Sequence, residues 1–215
     1  MGILLDVVAH QTPSRAAARQ ARGALGAPGV AILVLASVPL GISFAILEVA
    51  LPAFATAAGE LSRGALMFVA MAAGGAIGSV TPGAWADRMQ HARVVVAGSF
   101  AYRLVALLPI AGSTPAEVAL LVVPFGLLDG PWILGRNVLT EQLARPGTTT
   151  EAFAWLVTAL LLGASLGNVV GGVLVAQTSW RAAVAAGALV TTLTTIVTVS
   201  SRSSLKPSAA ATPSM

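Results

Sequence analysis

Residues 30–56 read VAILVLASVPLGISFAILEVALPAFAT and contain a single charged side chain, that of Glu48. A helix that crosses a bilayer needs about 20 consecutive, mostly apolar residues. This stretch meets that requirement, although Pro39 and Pro52 interrupt it. It therefore predicts a membrane-spanning helix that carries one acid.

The whole chain has the same apolar character. Only 9% of its 215 residues are charged and 56% are hydrophobic, whereas about 25% of the residues of soluble domains are charged. So little polar surface cannot coat a globule in water, which excludes an ordinary soluble protein. The basic residues are scattered between apolar runs and form no patch, so we expect the lipid bilayer as a partner and no nucleic acid.

Five further apolar runs follow the first, at residues 64–86, 94–112, 118–135, 151–176 and 182–200. Short links that carry turn and cap residues separate the runs. A transmembrane barrel would instead show segments of roughly ten residues with alternating polarity. The sequence therefore predicts an all-α membrane protein with a bundle of six transmembrane helices over residues 29–200. We expect an N-terminal segment at 1–28 and a disordered tail at 201–215.

The distribution of basic residues predicts the orientation. Six spans leave both termini on one side of the membrane, together with nine of the Lys and Arg residues, whereas the other side has only Arg63 and Arg181. Because short cytoplasmic loops retain positive charge, we expect both termini in the cytoplasm and the chain in a bacterial inner or cell membrane. The segment 1–28 is then either a basic helix on the anionic lipid surface or a solvated linker.

The six spans divide into two sets of three with matching features. Small residues recur every four positions in the second and fifth spans, which lets helix backbones approach closely. These residues are Ala70, Gly74, Gly78, Gly163, Gly167 and Gly171. The first and fourth spans instead carry internal prolines and one acid each. Two inverted three-helix repeats with interrupted helices are typical of secondary transporters, although Gly and Pro are also common in membrane helices generally.

Three charged side chains fall inside the spans, namely Glu48, Arg103 and Asp129. They lie at similar depth, about 12 to 18 Å from the outer ends of their helices. Such charges are costly in lipid and are functional candidates by default. Arg103 and Asp129 lie on neighbouring spans and could form a structural ion pair. Glu48 has no obvious basic partner, so it is either a proton carrier or a protonated structural acid.

The sequence offers no chemistry for an enzyme. It contains no cysteine, no nucleophile and base pair, no metal-binding cluster and no nucleotide fold. Gly130, Gly135, Arg136 and Asn137 approach a phosphate-binding loop, but the required Lys and Ser or Thr are missing. We therefore expect no catalytic residue, no cofactor and no metal.

The link after the second span reads GAWADRMQHAR at residues 83–93. It resembles the motif G-x-x-x-D-[RK]-x-G-[RK]-[RK] of the major facilitator superfamily, with matches at Gly83, Asp87 and Arg88 and with Arg93 displaced by one place. Other stretches look like the C-terminal half of drug-efflux members, such as the glycine-rich fifth span and residues 179–181. The resemblance implies a cytoplasmic gating motif at these four residues.

The resemblance also implies half of a major facilitator fold. The first and fourth spans would line the substrate cavity, which makes Glu48 and Asp129 candidates for substrate binding or proton coupling. A full member has about twelve spans, so we expect a second six-helix half, either a separate chain or a second copy. The leading hypothesis is half of a secondary transporter, a proton antiporter that exports small organic molecules. The alternatives are a non-transporting remnant or scaffold subunit and, third, a membrane-embedded enzyme.

Overall fold

The structure is a computed structural model, and it describes residues 23–80, 97–98, 101, 104–201 and 204–205. This part of the chain is helical and contains no strand. Five of its helices are long and apolar enough to cross a membrane. They are α1 (Pro28–Ala57), α2 (Leu61–Val80), α3 (Pro115–Leu143), α4 (Thr149–Gln177) and α5 (Trp180–Ser200). The prediction of an all-α membrane protein is confirmed for the described residues.

The five helices correspond to the first, second, fourth, fifth and sixth predicted spans. The third predicted span is described only in part, at its positions 97–98, 101 and 104–112. That segment ends in a 3₁₀ turn, Leu108–Ala111, before α3 begins. The third predicted span, which would bring the number of membrane crossings to six, therefore stays a prediction.

Helix α3 is longer than the sequence predicted. Its start is fixed by a capping box, in which the Thr114 hydroxyl accepts from the Glu117 amide and the Glu117 carboxylate accepts from the Thr114 amide. At its other end the helix continues past Gly135 to Leu143. The predicted runs leave residues 136–150, between the fourth and fifth of them, as a link. That prediction is wrong for residues 136–143, which form two further turns of α3.

Helix α1 is the centre of the bundle. It packs along both α4 and α5, while α2 packs along α3 and makes fewer contacts with α1. Leu33, Ile46 and Leu51, at different points along α1, are all buried. A helix that is buried on most sides needs an apolar surface all round, which is the character of residues 30–56.

The α1–α4 contact brings two backbones together at glycines. A Cβ atom on Gly163 of α4 would lie 2.1 Å from the Val38 carbonyl oxygen of α1. A Cβ atom on Gly41 of α1 would in turn lie 2.2 Å from the Leu160 carbonyl oxygen of α4. Only glycine fits at either position, because no side chain can occupy that space without moving a backbone.

The α2–α3 contact has the same form. A Cβ atom on Gly74 of α2 would lie 2.4 Å from the Val123 carbonyl oxygen, and one on Gly126 of α3 would lie 2.1 Å from the Met71 carbonyl oxygen. Gly126 follows Val123 by three residues, as Gly41 follows Val38. Met71 and Gly74 are separated by the same interval as Leu160 and Gly163. The two helix pairs therefore share one pattern of interlocking positions.

The next turns of α2 and α4 continue both contacts. A Cβ atom on Gly78 would lie 2.3 Å from the Leu127 carbonyl oxygen, and one on Gly167 would lie 2.4 Å from the Ile42 carbonyl oxygen. Gly171 is less tightly placed, with the Ile46 Cα atom at 3.2 Å from the added Cβ atom. The small-residue stripes thus lie along the helix contacts and not on free surface.

A short segment before α1 is tied to the ends of α3 and α4. The amide of Ala24 donates to the Glu151 carboxylate at 3.1 Å, and the Arg145 guanidinium donates to the Gly26 carbonyl. Gly23 precedes them with a φ of 55°, a conformation that favours glycine. These contacts fix the direction in which the chain enters α1.

We expect Gly163→Ala to destabilise the protein by about 1–3 kcal/mol, because the added methyl group forces α1 and α4 apart. Gly172→Ala on the same helix is the matched control, since nothing lies within 4 Å of its added Cβ atom. Thermal unfolding of the two variants in detergent measures the difference. Equal melting temperatures would contradict the close contact.

We expect Glu151→Ala to release the segment before α1, because the substitution removes the acceptor for the Ala24 amide. Hydrogen–deuterium exchange at the amides of residues 24–27, followed by mass spectrometry, should then be about threefold to tenfold faster, since local opening exposes these amides. Glu141→Ala, at an exposed acid of α3, is the control. An exchange rate in Glu151→Ala equal to that of the control would show that this contact does not hold the segment.

Candidate functional site

A cavity of about 270 Å³ lies between α1, α3 and α4. Three ionisable side chains line it, those of Glu48, Asp129 and Arg136. The other lining residues are mostly apolar or small: Leu40, Gly41, Phe44, Ile133, Leu160, Leu161 and Ala164. The structure therefore brings the two acids singled out in the sequence to one cavity, and adds a base to them.

A second cavity, of about 340 Å³, lies between α2 and α3. Asp129 and Ile133 line both cavities, so they form the wall between them. The second cavity also contains the polar side chains of Ser79 and Asn137. Polar side chains thus lie along α3 both where it faces α2 and where it faces α1 and α4.

Glu48 lies on α1, nine residues before the end of that helix at Ala57, or about 13 Å along its axis. Its side chain is exposed, and it makes no ion pair or hydrogen bond within the described residues. The carboxyl group is thus accessible from the cavity, and no base among the described residues pairs with it. Such a group is free to bind a proton or a cationic group of a ligand.

Asp129 lies at the midpoint of α3, fourteen residues from each end, which is about 21 Å along the axis. The side chain is half-buried. The following residue, Gly130, is in contact with α2, because a Cβ atom there would lie 2.5 Å from the Ser79 amide. Asp129 therefore occupies a position that the close α2–α3 contact fixes.

Arg136 is the functional candidate that the sequence analysis missed. It was assigned to a cytoplasmic loop, but it lies in α3 with only 7% of its surface exposed. Its guanidinium group stacks on the Trp132 ring at 5.1 Å and donates a long hydrogen bond of 3.4 Å to Asn137. Within the part of the chain that the structure describes, its Nε and Nη1 atoms are buried without a hydrogen-bond partner.

The signal that could have found Arg136 is its spacing from Asp129. Seven residues correspond to two helical turns, so the two side chains lie on one face of a continuous helix. The helix thus places an acid and a base two turns apart on that face. Trp132, four residues before Arg136, lies on the same side and supplies the aromatic ring. The three residues form a polar stripe in an apolar helix.

The remaining predicted site residues lie outside the described residues. They are Arg103 and the residues of the proposed gating motif, namely Gly83, Asp87, Arg88 and Arg93. The ion pair between Arg103 and Asp129 therefore stays a prediction. Among the described residues, no group of three His, Asp or Glu side chains could hold a metal ion.

Comparison with known proteins identifies the family. Residues 33–213 match the Major Facilitator Superfamily, which covers most of the chain. No curated protein matches it. The match extends across all five long helices and the residues that line the cavity. The family indicated by the motif at residues 83–93 is confirmed, and the chain belongs to the Major Facilitator Superfamily, a family of integral membrane transporters.

Proposed function

We propose that this chain is half of a proton-linked secondary transporter that exports small organic molecules. The observation that carries the proposal is the position of Glu48, whose carboxyl lines the cavity between α1, α3 and α4 and has no ion pair or hydrogen bond among the residues that the structure describes. An acid there binds a proton from the water in the cavity and releases it when access changes to the other side. Proton movement is thereby linked to substrate movement, and we assign the exchange as antiport.

The matched glycine contacts support an architecture of two inverted three-helix repeats. Under this proposal α1 and α3 occupy equivalent places, as do α2 and α4. The expected interruptions at proline are not observed, because α1 and α3 each continue through their internal prolines. Each repeat then contributes one proline-containing helix to the cavity, and secondary transporters bind substrate at such a repeat interface. Asp129 on α3 is the natural second candidate for substrate binding or proton coupling, because it lies on the wall that both cavities share.

We also propose that a second six-helix half covers this one, either a separate chain or a second copy. Large apolar side chains are exposed along α2 and α4, including Val69 at 63% and Val169 at 67%. Asp87 and Arg88 then act as a cytoplasmic latch between the halves, and both termini are cytoplasmic. The degenerate motif at residues 83–93 favours the position of the C-terminal half in a drug-efflux member.

We expect Glu48→Gln to reduce proton movement at least tenfold, because the amide cannot carry a proton. The assembled transporter is reconstituted in vesicles loaded with a pH-sensitive dye. Ethidium and p-aminohippurate are then added as a cationic and an anionic probe. Glu60→Gln is the matched control, since Glu60 is a surface acid paired with Arg63 at 2.8 Å. Proton movement in Glu48→Gln that equals the control would remove Glu48 from the mechanism.

We expect Ile133→Cys to react with a membrane-impermeant thiol reagent faster than Leu189→Cys in membranes. Thiolates form in water and not in lipid, and Ile133 lines the proposed aqueous cavity whereas Leu189 lies outside both cavities on α5. Leu189 is the more exposed residue of the two, 70% against 37%. Surface exposure alone therefore predicts the reverse order. The chain has no native cysteine, so each variant carries a single thiol.

A further inference from the structure

We propose that Arg136 binds the carboxylate of a small organic anion in the cavity between α1, α3 and α4. This assignment rests on the proposed transport function only in taking the bound anion to be a transported substrate. The evidence for the binding site is separate. It consists of the burial of Arg136, its unused hydrogen-bond donors and the composition of the cavity walls.

The first observation is that the guanidinium group has donors to spare. An arginine carries five N–H donors and no acceptor. The described residues supply one long hydrogen bond, from Nη2 to Asn137, while Nε and Nη1 have no partner. Only 7% of the surface of Arg136 is exposed. Its polar atoms are thus in an environment in which a missing acceptor is costly.

The second observation is that the existing contacts hold the group without satisfying it. The Trp132 ring supports one face of the guanidinium plane, and Asp129 lies two helical turns away on the same face of α3. Neither residue supplies an acceptor to Nε or Nη1, because both atoms remain without a hydrogen bond. The planar fork is therefore oriented and still available.

The third observation is that the cavity beside Arg136 fits the apolar body of a small acid. Phe44, Leu160 and Ala164 form much of its wall, and its volume is about 270 Å³. The carboxyl groups of Glu48 and Asp129 also line the cavity. A mostly apolar pocket with a few placed polar groups is the usual form of a small-ligand site. Carboxylates match the guanidinium fork with two parallel hydrogen bonds. A single-ring or short-chain carboxylate satisfies both parts of the site.

The test uses binding of benzoate to the full chain in lipid nanodiscs, measured by saturation-transfer NMR. Benzamide has the same shape without the charge, and it serves as the matched ligand. We expect benzoate to bind and benzamide to bind at least tenfold more weakly. Equal binding of the two ligands would overturn the proposal, and so would the absence of benzoate binding.

Variants then assign the binding to Arg136. We expect Arg136→Gln to weaken benzoate binding at least tenfold and Arg136→Lys to weaken it less, since Lys keeps the charge but loses the fork. Arg181→Gln is the matched control, because Arg181 also stacks on a tryptophan ring, at 4.6 Å, but is exposed at the start of α5. Unchanged binding in a folded Arg136→Gln would overturn the assignment. If Arg136→Gln does not fold, the assignment is decided by benzoate binding to Arg136→Lys and by the comparison of benzoate with benzamide.

A final measurement separates a substrate from a carboxylate of the second half. The same titration is repeated on the assembled transporter, where we expect benzoate still to bind. Loss of binding on assembly would show that a side chain of the other half occupies Arg136, which overturns the assignment to a substrate. Failure of the transport proposal has a different readout: Glu48→Gln would leave proton movement unchanged while benzoate still bound.

Discussion

The fold depends on the contact between backbones at glycines. Inside a bilayer, burial of apolar side chains gains little when the alternative is lipid, so helices associate through close packing. Gly41 and Gly163 join α1 to α4, and Gly74 and Gly126 join α2 to α3. At each position even a methyl group would overlap a carbonyl oxygen of the neighbouring helix. These four residues therefore determine which helices are neighbours and in which register they meet.

The cavity between α1, α3 and α4 lies where the two glycine-held pairs meet. Helix α1 is held tightly to α4 and helix α3 to α2, and α1 and α3 make little contact with each other, so space remains between the two pairs. Asp129 forms the wall between the two cavities, and the next residue, Gly130, is in close contact with α2. Asp129 thus lies next to a close contact between two helix backbones. Groups held in this way keep a defined position while water or a ligand enters beside them.

Hydropathy predicted the helices well where the residues of the helix are apolar and the residues of the adjoining links are polar. The first span was expected at residues 30–56 and is observed at Pro28–Ala57, because both of its ends are marked by turn residues. It failed at α3, where Arg136 and the buried Thr140 were interpreted as loop residues. A single sequence gives only the polarity of a residue, which is the same for a side chain in a cavity and for one in a loop. The two acids could be found because they lie far inside apolar runs, whereas Arg136 lies at the edge of one.

The energetics of Arg136 argue that its position serves a function. A buried charge without adequate partners costs several kcal/mol. The stacking on Trp132 returns about 0.5–2 kcal/mol, and a 3.4 Å hydrogen bond to Asn137 is at the weak limit of such bonds. The described contacts therefore do not offset the cost of removing this guanidinium from water. Under the proposed function, solvent in the cavity or a bound anion supplies the acceptors that the described residues lack, and a site that exchanges the one for the other is what a transporter requires on its substrate path.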